Sequence, residues 1–218
     1  LGLEMDVTLG SGWPGGAPSV GENRAEELLL SWYDIEGGQT INQAPPALGA
    51  QDYVGQVQQI IDALDVAGNE AELFKVSAAR LGEGGISAAP DDVLDISSHL
   101  SSGLLDWDAP EGAWRVFSLA RNKVGHVAVG AAFPKEDGPA WVFDHLSTTG
   151  TEAFIGGYGE KVISAMSPDA IFVDSFEMIG QLPWTPDFLS AFENQIDYDL
   201  TPYLPFLFVN GGETKYGG

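Results

Sequence analysis

The 218-residue chain contains no cysteine, which excludes disulfide frameworks, zinc sites built on thiolates and cysteine nucleophiles. Positive charge is also scarce: nine Lys and Arg residues stand against 32 Asp and Glu residues, a formal net charge of −23 at pH 7. Such an acidic surface repels a phosphate backbone, so the sequence predicts no DNA or RNA partner. No segment approaches the roughly 18 uninterrupted apolar residues of a membrane span, so we predict none.

Three motifs typical of serine hydrolases and nucleotide-binding proteins are also absent. The chain has no Gly-x-Ser-x-Gly elbow, no P-loop and no Gly-x-Gly-x-x-Gly turn opening a helix, which leaves serine-hydrolase, nucleotide-dependent and dinucleotide-binding functions unsupported. Its composition, 44% hydrophobic, 11% aromatic and 19% charged, is typical of a folded globular protein. The acidity fits a solvated surface adapted to salt, or the binding of divalent cations.

The chain opens with the pattern of a strand. Apolar and polar residues alternate from Leu3 to Leu9, as expected when the two faces of a strand differ in environment. A loop rich in glycine and proline follows at residues 10–18 and contains Trp13. Trp13 either fills a core beneath a tight turn or forms an aromatic platform beside a ligand. We interpret residues 1–20 as a first barrel strand and an active-site loop.

Residues 21–138 predict a β-rich insertion. Short strand-like runs are separated here by Gly, Pro, Asp and Asn; they include residues 27–34, 71–77, 93–97 and 114–119. Residues 53–64 fit either a helix or a pair of edge strands, and periodicity does not decide between them. Residues 105–114 predict a hairpin around a Pro-Glu-Gly turn, with Trp107 and Trp114 stacked across it or packed in the core.

The pattern changes to strand, helix, strand, helix over residues 139–218. Residues 141–144 and 170–173 are short apolar strands. A capping box formed by Thr149 and Glu152 predicts the first helix, whose stacked apolar residues are Phe154, Tyr158, Val162 and Met166. Thr185 as cap and Pro186 as first residue predict the second helix, whose buried residues are Phe188, Leu189, Phe192 and Ile196.

This alternation implies parallel strands joined by crossovers. Because residues 1–10 supply another strand and a long β-rich segment intervenes, the sequence predicts an α/β fold. We expect a partial TIM-like (β/α) barrel with a β-rich inserted subdomain, in preference to a doubly wound sheet.

Two carboxylates in the loop after the strand at residues 170–173 are candidate catalytic groups. Asp174 and Glu177 lie where barrel enzymes place their catalytic residues, at the carboxyl end of a parallel strand. A carboxyl group partly desolvated by neighbouring aromatics such as Trp184, and close to a second carboxylate, stays protonated near neutral pH and can act as a general acid. Glu177 fits this role and Asp174 would orient it or contact substrate or metal. Alternatively, Asp174 caps the turn and Glu177 is a solvated loop residue.

Asp144 and His145 end the preceding strand and share the same predicted rim. They could bind a substrate hydroxyl, or they could form a hydrogen-bonded structural pair. His99 and His126 lie in the β-rich part without the spacing of metal ligands, so we assign them no role.

Four motifs, taken in order, resemble the catalytic region of glycoside hydrolase family 106, the α-L-rhamnosidases. Each is weak alone, and the ordered series spans nearly the whole chain, with few signatures over residues 21–104. The motifs are Leu9-Gly-Ser-Gly-Trp-Pro-Gly-Gly-Ala-Pro18, Leu105-Asp-Trp-Asp-Ala-Pro-Glu-Gly-Ala-Trp114, Phe172-Val-Asp-Ser-Phe-Glu177 with Trp184-Thr-Pro-Asp-Phe188, and Asp197-Tyr-Asp-Leu-Thr-Pro-Tyr-Leu-Pro205.

The resemblance implies a TIM-like catalytic domain, inversion at the anomeric carbon, and assistance by calcium, for which it assigns no ligands in this chain. It implies functional roles for Asp174 and for Glu177, the latter as general acid. The substrate would be a terminal α-L-rhamnoside of a polysaccharide or glycoside. Trp13 and Trp184 would then shape the sugar pocket, and Asp144 and His145 would bind sugar hydroxyls.

An inverting hydrolase needs a second carboxylate roughly 6.5–9.5 Å from the acid to activate water. In the family that base lies well downstream of the Asp-x-x-Glu loop, and members are several times longer than 218 residues. We therefore expect this chain to resemble the first part of the module and to be inactive alone. Secretion or a periplasmic location is expected from the resemblance. The alternative functions are a non-catalytic carbohydrate-binding protein and a structural remnant.

Overall fold

The computed structural model describes residues 4–9, 14–47, 71–128, 133–173, 182–210 and 213–214. The chain divides into two compact units. Unit 1 is drawn from Leu1–Glu27, Gly55–Glu70 and Lys123–Thr185, and unit 2 from Leu28–Val54, Ala71–Asn122 and Pro186–Gly218. Within these described ranges, no helix is long and apolar enough to cross a membrane.

Fifteen strands are described. They are β1 (Asp6–Thr8), β2 (Gly16–Ala17), β3 (Glu26–Glu36), β4 (Gln39–Gln43), β5 (Glu72–Gly82), β6 (Gly85–Ile86), β7 (Val93–Asp95), β8 (Leu100–Ser101), β9 (Leu104–Ala109), β10 (Ala113–Lys123), β11 (Trp141–Val142), β12 (Ala170–Phe172), β13 (Leu182–Trp184), β14 (Val209–Asn210) and β15 (Glu213–Thr214).

Three α-helices are described. They are α1 (Thr148–Phe154), α2 (Glu160–Met166) and α3 (Phe188–Ile196), and a π-helical turn (Ile155–Gly159) joins α1 to α2. Short 3₁₀ segments are Pro18–Asn23, Pro90–Asp92, Ser97–His99, Lys135–Asp137 and Thr201–Leu207.

Unit 2 is a sandwich of two sheets. One sheet has the order β4-β9-β8; in the other, β10 lies between β3 and β5, and both β6 and β7 pair with β5. Side chains of β9 alternate between exposed and buried, as expected of a strand with one face on a core. Both sheets contribute to that core: Ile41, Leu105, Trp107 and Ala109 come from the first, and Val76, Ala78, Trp114 and Val116 from the second.

The contact between Trp107 and Trp114 is confirmed, but the predicted hairpin is wrong. The two indoles meet edge to face with ring centroids 5.7 Å apart, and both are buried. However, β9 pairs with β4 and β8, whereas β10 lies in the other sheet. The Pro-Glu-Gly segment is thus a corner between sheets. The amide of Gly37 donates to the carbonyl of Gly112 (2.7 Å) and holds that corner against the β3–β4 connection.

Unit 1 contains a short parallel pair. Strand β1 pairs with β12 in the register Asp6 to Ala170 and Thr8 to Phe172. Strand β11 instead pairs antiparallel with β2, with Trp141 opposite Ala17. A separate apolar cluster packs behind these strands, formed by Leu9, Ala17, Val20, Phe143 and Phe154.

The predicted partial TIM-like (β/α) barrel is wrong for the residues that the structure describes. A (β/α) barrel requires the strands before and after each helix to lie parallel in one sheet. Strand β11 precedes α1 and β12 follows α2, yet they belong to different sheets, and β11 pairs antiparallel. Most of the other described pairs are antiparallel too, including β5 with β10 and β4 with β9. The parallel arrangement of β1 and β12 keeps the fold loosely α/β.

The two predicted helices exist, but their caps and buried faces differ from expectation. The side chain of Ser147, not Thr149, caps α1 by accepting from the amide of Gly150 (3.3 Å). The π-helical turn adds a residue to the helical spacing, and Met166 is 45% exposed instead of continuing the apolar stripe. Helix α3 follows Asp187 and buries no side chain fully, with Ile196 59% exposed.

Candidate functional site

A pocket lies at the carboxyl ends of the parallel pair in unit 1. The amide of Leu9, directly after β1, donates to the carbonyl of Phe172 (2.8 Å), and Val173 directly follows β12. Leu9 and Val173 both line a cavity of about 210 Å³. We call it the strand-end pocket; its lining residues are Leu9, Phe143, His145, Thr151, Phe154, Ile155 and Val173.

Aromatic rings form one wall of the strand-end pocket. Phe143 and Phe154 stack nearly parallel, with centroids 4.5 Å apart and planes 7° apart. The imidazole of His145 tilts against Phe143 at 4.1 Å between centroids. Both phenylalanines are buried, so tight packing holds this wall in one position. A volume of this size suits a single small ligand rather than an extended one.

His145 is the titratable group among the described residues that line the strand-end pocket. Burial lowers the pKa of its imidazole to about 4, because removing water disfavours the charged ring. At neutral pH the ring is therefore uncharged, with one nitrogen as donor and the other as acceptor. Such a group can exchange hydrogen bonds with a hydroxyl but cannot supply a proton as an imidazolium. Its predicted role in hydroxyl binding stays a prediction.

Asp144 is 4% exposed and builds the turn that carries His145. Its amide donates to the carbonyl of Asn23 (3.0 Å), and its Oδ1 accepts from the amide of Leu146 (2.9 Å). A Cβ on Gly150 would lie 2.5 Å from the Asp144 carbonyl oxygen, so α1 starts hard against this turn. Asp144 thus positions its neighbour, and direct substrate binding by its carboxylate stays a prediction.

The other predicted site residues divide into one buried side chain and three that the structure does not describe. Trp184 is 2% exposed in β13 and is not among the described residues that line the strand-end pocket. Trp13, Asp174 and Glu177 lie outside the described residues, so their roles stay predictions. In sequence, Asp174 directly follows Val173 of the pocket.

Sequence reasoning missed the apolar lining of the strand-end pocket. Phe154 was predicted only as a helix core residue, and Ile155 and Thr151 were not singled out. A signal was present: Leu9 and Val173 each end a predicted strand, and ligand sites favour the carboxyl ends of parallel strands.

A metal site does not emerge from the described side chains. Among them, no group of three or more His, Asp or Glu residues is placed to hold an ion. The expected calcium therefore stays a prediction, and we derive no step through a metal.

Comparison with known proteins agrees with the four-motif resemblance. The sequence model of the α-L-rhamnosidase family, glycoside hydrolase family 106, matches residues 77–212, well over half of the chain. The chain belongs to glycoside hydrolase family 106. This family assignment makes it a glycoside hydrolase-like chain and indicates a carbohydrate as its substrate class.

One curated relative of this family 106 chain is a protein of the bacterium Formosa agariphila named "Putative beta-glucuronidase". It is 27% identical over 132 residues, which make up 56% of this chain and 11% of the relative. The matched region thus spans about a tenth of the relative's length. No solved structure matches the family 106 chain.

Proposed function

We propose that this chain supplies the sugar-binding wall and the general acid of an inverting α-L-rhamnosidase. The observation that carries the proposal is the strand-end pocket, whose residue Val173 immediately precedes the sequence Asp174-Ser-Phe-Glu177. Family membership supplies the reaction class, glycoside hydrolysis. The rhamnoside substrate, the stereochemistry and the residue roles are the proposal.

The apolar lining of the strand-end pocket suits the methyl group of rhamnose. Rhamnose is a 6-deoxy sugar, so its C6 is a methyl group, whereas C6 of mannose carries a hydroxyl. Phe143, Phe154 and Ile155 offer no hydrogen-bond partner for a hydroxyl but contact a methyl group favourably. His145, which is uncharged at neutral pH, contacts a ring hydroxyl in this proposal.

Catalysis follows the inverting scheme with two carboxyl groups. Glu177 donates its proton to the leaving oxygen, and Asp174 orients Glu177 or contacts the sugar. A carboxylate from outside these 218 residues removes a proton from the attacking water on the opposite face of the ring. Trp13 bounds the sugar pocket. Trp184 is buried and is not among the described residues that line the strand-end pocket, so the proposal gives it no direct sugar contact.

Calcium binding and export from the cytoplasm belong to the proposal through the family resemblance alone. Rhamnosides of plant and microbial polysaccharides lie outside the cytoplasm, which supports a secreted or periplasmic location. No catalytic step above requires the ion.

A matched pair of sugars tests the binding part. L-Mannose is L-rhamnose with a hydroxyl on C6, so the two ligands differ only where the apolar wall acts. Burial of the C6 methyl group should make the Kd for L-rhamnose at least about fourfold lower than the Kd for L-mannose. The C6 hydroxyl of L-mannose has no hydrogen-bond partner on the apolar wall, which increases this difference. NMR titration of the 218-residue chain measures both constants.

Ile155 provides the matched variants for this titration because it lines the pocket and is partly exposed. Ile155→Asp should abolish the preference for L-rhamnose, and Ile155→Val should keep it. Equal affinity for the two sugars, or a preference for D-glucuronate over both, would contradict the proposed substrate.

The catalytic part is tested in the complete reading frame that contains this chain. Glu177→Gln should lower kcat by about 100-fold or more on an alkyl α-L-rhamnoside, whose leaving group needs a proton. It should cost far less on a 2,4-dinitrophenyl α-L-rhamnoside, whose leaving group departs without one. An equal loss on both substrates rejects Glu177 as the acid. No rhamnose release by the parent protein would favour a carbohydrate-binding function.

A further inference from the structure

A second cavity in unit 1 is built differently from the strand-end pocket. It has a volume of about 330 Å³ and lies beside the π-helical turn. We call it the π-turn pocket; its lining residues are Ala17, Pro18, Ser19, Phe133, Asp137, Gly157, Tyr158 and Lys161. The two sets of lining residues do not overlap. Single π-helical turns are rare and occur frequently at functional sites.

Two aromatic rings give the π-turn pocket a fixed apolar wall. Phe133 and Tyr158 meet edge to face with centroids 5.3 Å apart. Both are partly buried and pack against the apolar cluster of unit 1 that includes Phe154. Each therefore leaves part of its ring in the pocket while the core holds it in place. Rings presented in this way pack against the C–H face of a sugar.

The π-helical turn packs closely against Ser19 at one edge of the pocket. Tyr158 and Lys161 are three residues apart and lie on the same side of the helical segment. Gly157 between the wall and Ser19 has no side chain, and a Cβ there would overlap Ser19. Ser19 is held in turn, since its hydroxyl donates to the carbonyl of Ala153 (3.1 Å).

Lys161 stands out among the cations of this acidic chain. The chain has nine Lys and Arg residues. Among the described residues, Lys75, Arg80, Arg115, Arg121 and Lys123 form ion pairs with carboxylates, and Arg24 lies over the ring of Trp141. Lys161 forms none with any described carboxylate, although it shares the pocket with Asp137. Its ammonium group is therefore available to a ligand.

The charge in the pocket selects the ligand class. Lys161 and Asp137 together carry no net charge, and they provide donors and acceptors on a surface that also offers hydroxyl groups from Ser19 and Tyr158. An uncharged polyol satisfies such a mixture, whereas an anion would face Asp137 and the field of a chain with net charge −23.

We propose that the π-turn pocket is a second glycan-binding site that takes an uncharged sugar residue away from the strand-end pocket. The carbohydrate class comes from family membership, and the site does not depend on rhamnoside hydrolysis at the strand-end pocket. Tyr158 and Phe133 pack against the sugar face, and Lys161 and Asp137 bind its hydroxyls.

Site-resolved NMR tests this proposal. Lysines of the 218-residue chain are labelled by reductive ¹³C-methylation, which keeps their charge, and the Lys161 signal is assigned from Lys161→Arg. Titration with an uncharged rhamnose disaccharide should shift the Lys161 signal in a saturable way. The Lys123 signal should not move, because that lysine does not line the pocket and is paired with Glu22.

Unlabelled variants then measure the contributions to affinity. Lys161→Met and Asp137→Ala should each raise the Kd of the disaccharide at the π-turn pocket by about fivefold or more. For the lysine variant, binding is followed by the ring signals of Tyr158. Lys123→Met is the matched control and should bind as the parent chain does.

Several outcomes overturn the proposal. An unmoved Lys161 signal excludes a sugar at this pocket. Tighter binding of a glucuronate–rhamnose disaccharide than of the neutral one would show that the pocket takes an anion. Because the strand-end pocket is tested by the Ile155 variants with monosaccharides, its failure leaves the Lys161 result unaffected, and the reverse also holds.

Discussion

Asp144 and His145 are neighbours in sequence with different surroundings. The Asp144 carboxylate accepts a hydrogen bond from the amide of Leu146 within a turn, whereas the His145 ring lines the strand-end pocket. A hydrogen-bonded turn residue fixes the backbone from which the next side chain projects. The sequence predicted both residues at the end of a strand, and strand β11 ends two residues before Asp144 and pairs antiparallel, so their predicted place on a rim of parallel strands did not follow. The sequence could not show that the Asp144 carboxylate is used in the turn while His145 lines the cavity.

Burial of His145 predicts a loss of stability in mild acid. The folded-state pKa, about 4, lies below the unfolded value near 6.5, so the unfolded chain binds the proton first. The stabilising contribution is complete above pH 6.5 and is lost as the pH falls from 6.5 towards 4. The fully buried His126 has a lowered pKa for the same reason and adds to the effect.

Urea unfolding at pH 7 and pH 5 checks this prediction. His145→Gln should reduce the difference in unfolding free energy between the two pH values by up to about 2 kcal/mol. Leu146→Gln, an exposed neighbour that does not titrate, should leave the difference unchanged. Identical pH dependence in the parent chain and His145→Gln would contradict it.

At the scale of elements, the strand patterns were predictable and their partners were not. The runs around residues 27–34, 71–77 and 114–119 all lie in described strands, because alternation of side chains is a local property. Pairing depends on residues distant in sequence, such as the match of Ile41 with Trp107. For this reason residues 105–114 looked like a hairpin but cross between two sheets.

Burial was also harder to predict than element type. Strand β12 (Ala170–Phe172) forms where a strand was expected over residues 170–173, yet Phe172 is 58% exposed in a two-stranded sheet. Apolar composition predicts burial only when a second layer packs on the strand, and local sequence does not report that layer. For the candidate site, the strand end at residues 170–173 could be predicted from the sequence and the apolar wall could not, while the role of His145 stays a prediction.

The junction between the Asp144 turn and α1 gives a matched pair of glycine predictions. Gly150→Ala would drive a Cβ against the Asp144 backbone and should lower the unfolding free energy by about 1–3 kcal/mol. Gly156→Ala adds a methyl group where nothing lies within 4 Å and should be neutral or stabilising by up to about 1 kcal/mol. Thermal unfolding followed by circular dichroism compares them, and equal effects would reject the close approach.

Across the whole molecule, charge is strongly unbalanced. The net charge of −23 on 218 residues creates repulsion that compactness increases. Ion pairs among the described residues engage Glu22, Asp34, Glu72, Asp92 and Asp95. Most of these pairs are solvent-exposed and contribute little each. The composition therefore indicates a protein whose stability responds to the ionic strength of its surroundings.

Salt should stabilise this chain. Raising NaCl from about 0.01 M to about 1 M shortens the screening length from roughly 30 Å to 3 Å and weakens the repulsion between like charges. We expect the Tm to rise monotonically over this range at pH 7. Sucrose at matched osmolarity controls for general exclusion effects. A Tm that falls with NaCl would show that the ion pairs, such as Arg115 with Asp34, outweigh the repulsion.

The edge-to-face contact of Trp107 with Trp114 has a spectroscopic consequence. Two indoles at 5.7 Å couple their electronic transitions, and an asymmetric arrangement produces a paired positive and negative band in the ultraviolet circular dichroism spectrum. Both rings belong to the core shared by the two sheets of unit 2. This pair of bands therefore disappears when those sheets separate. It reports the unfolding of the unit 2 sandwich and does not respond to changes in unit 1.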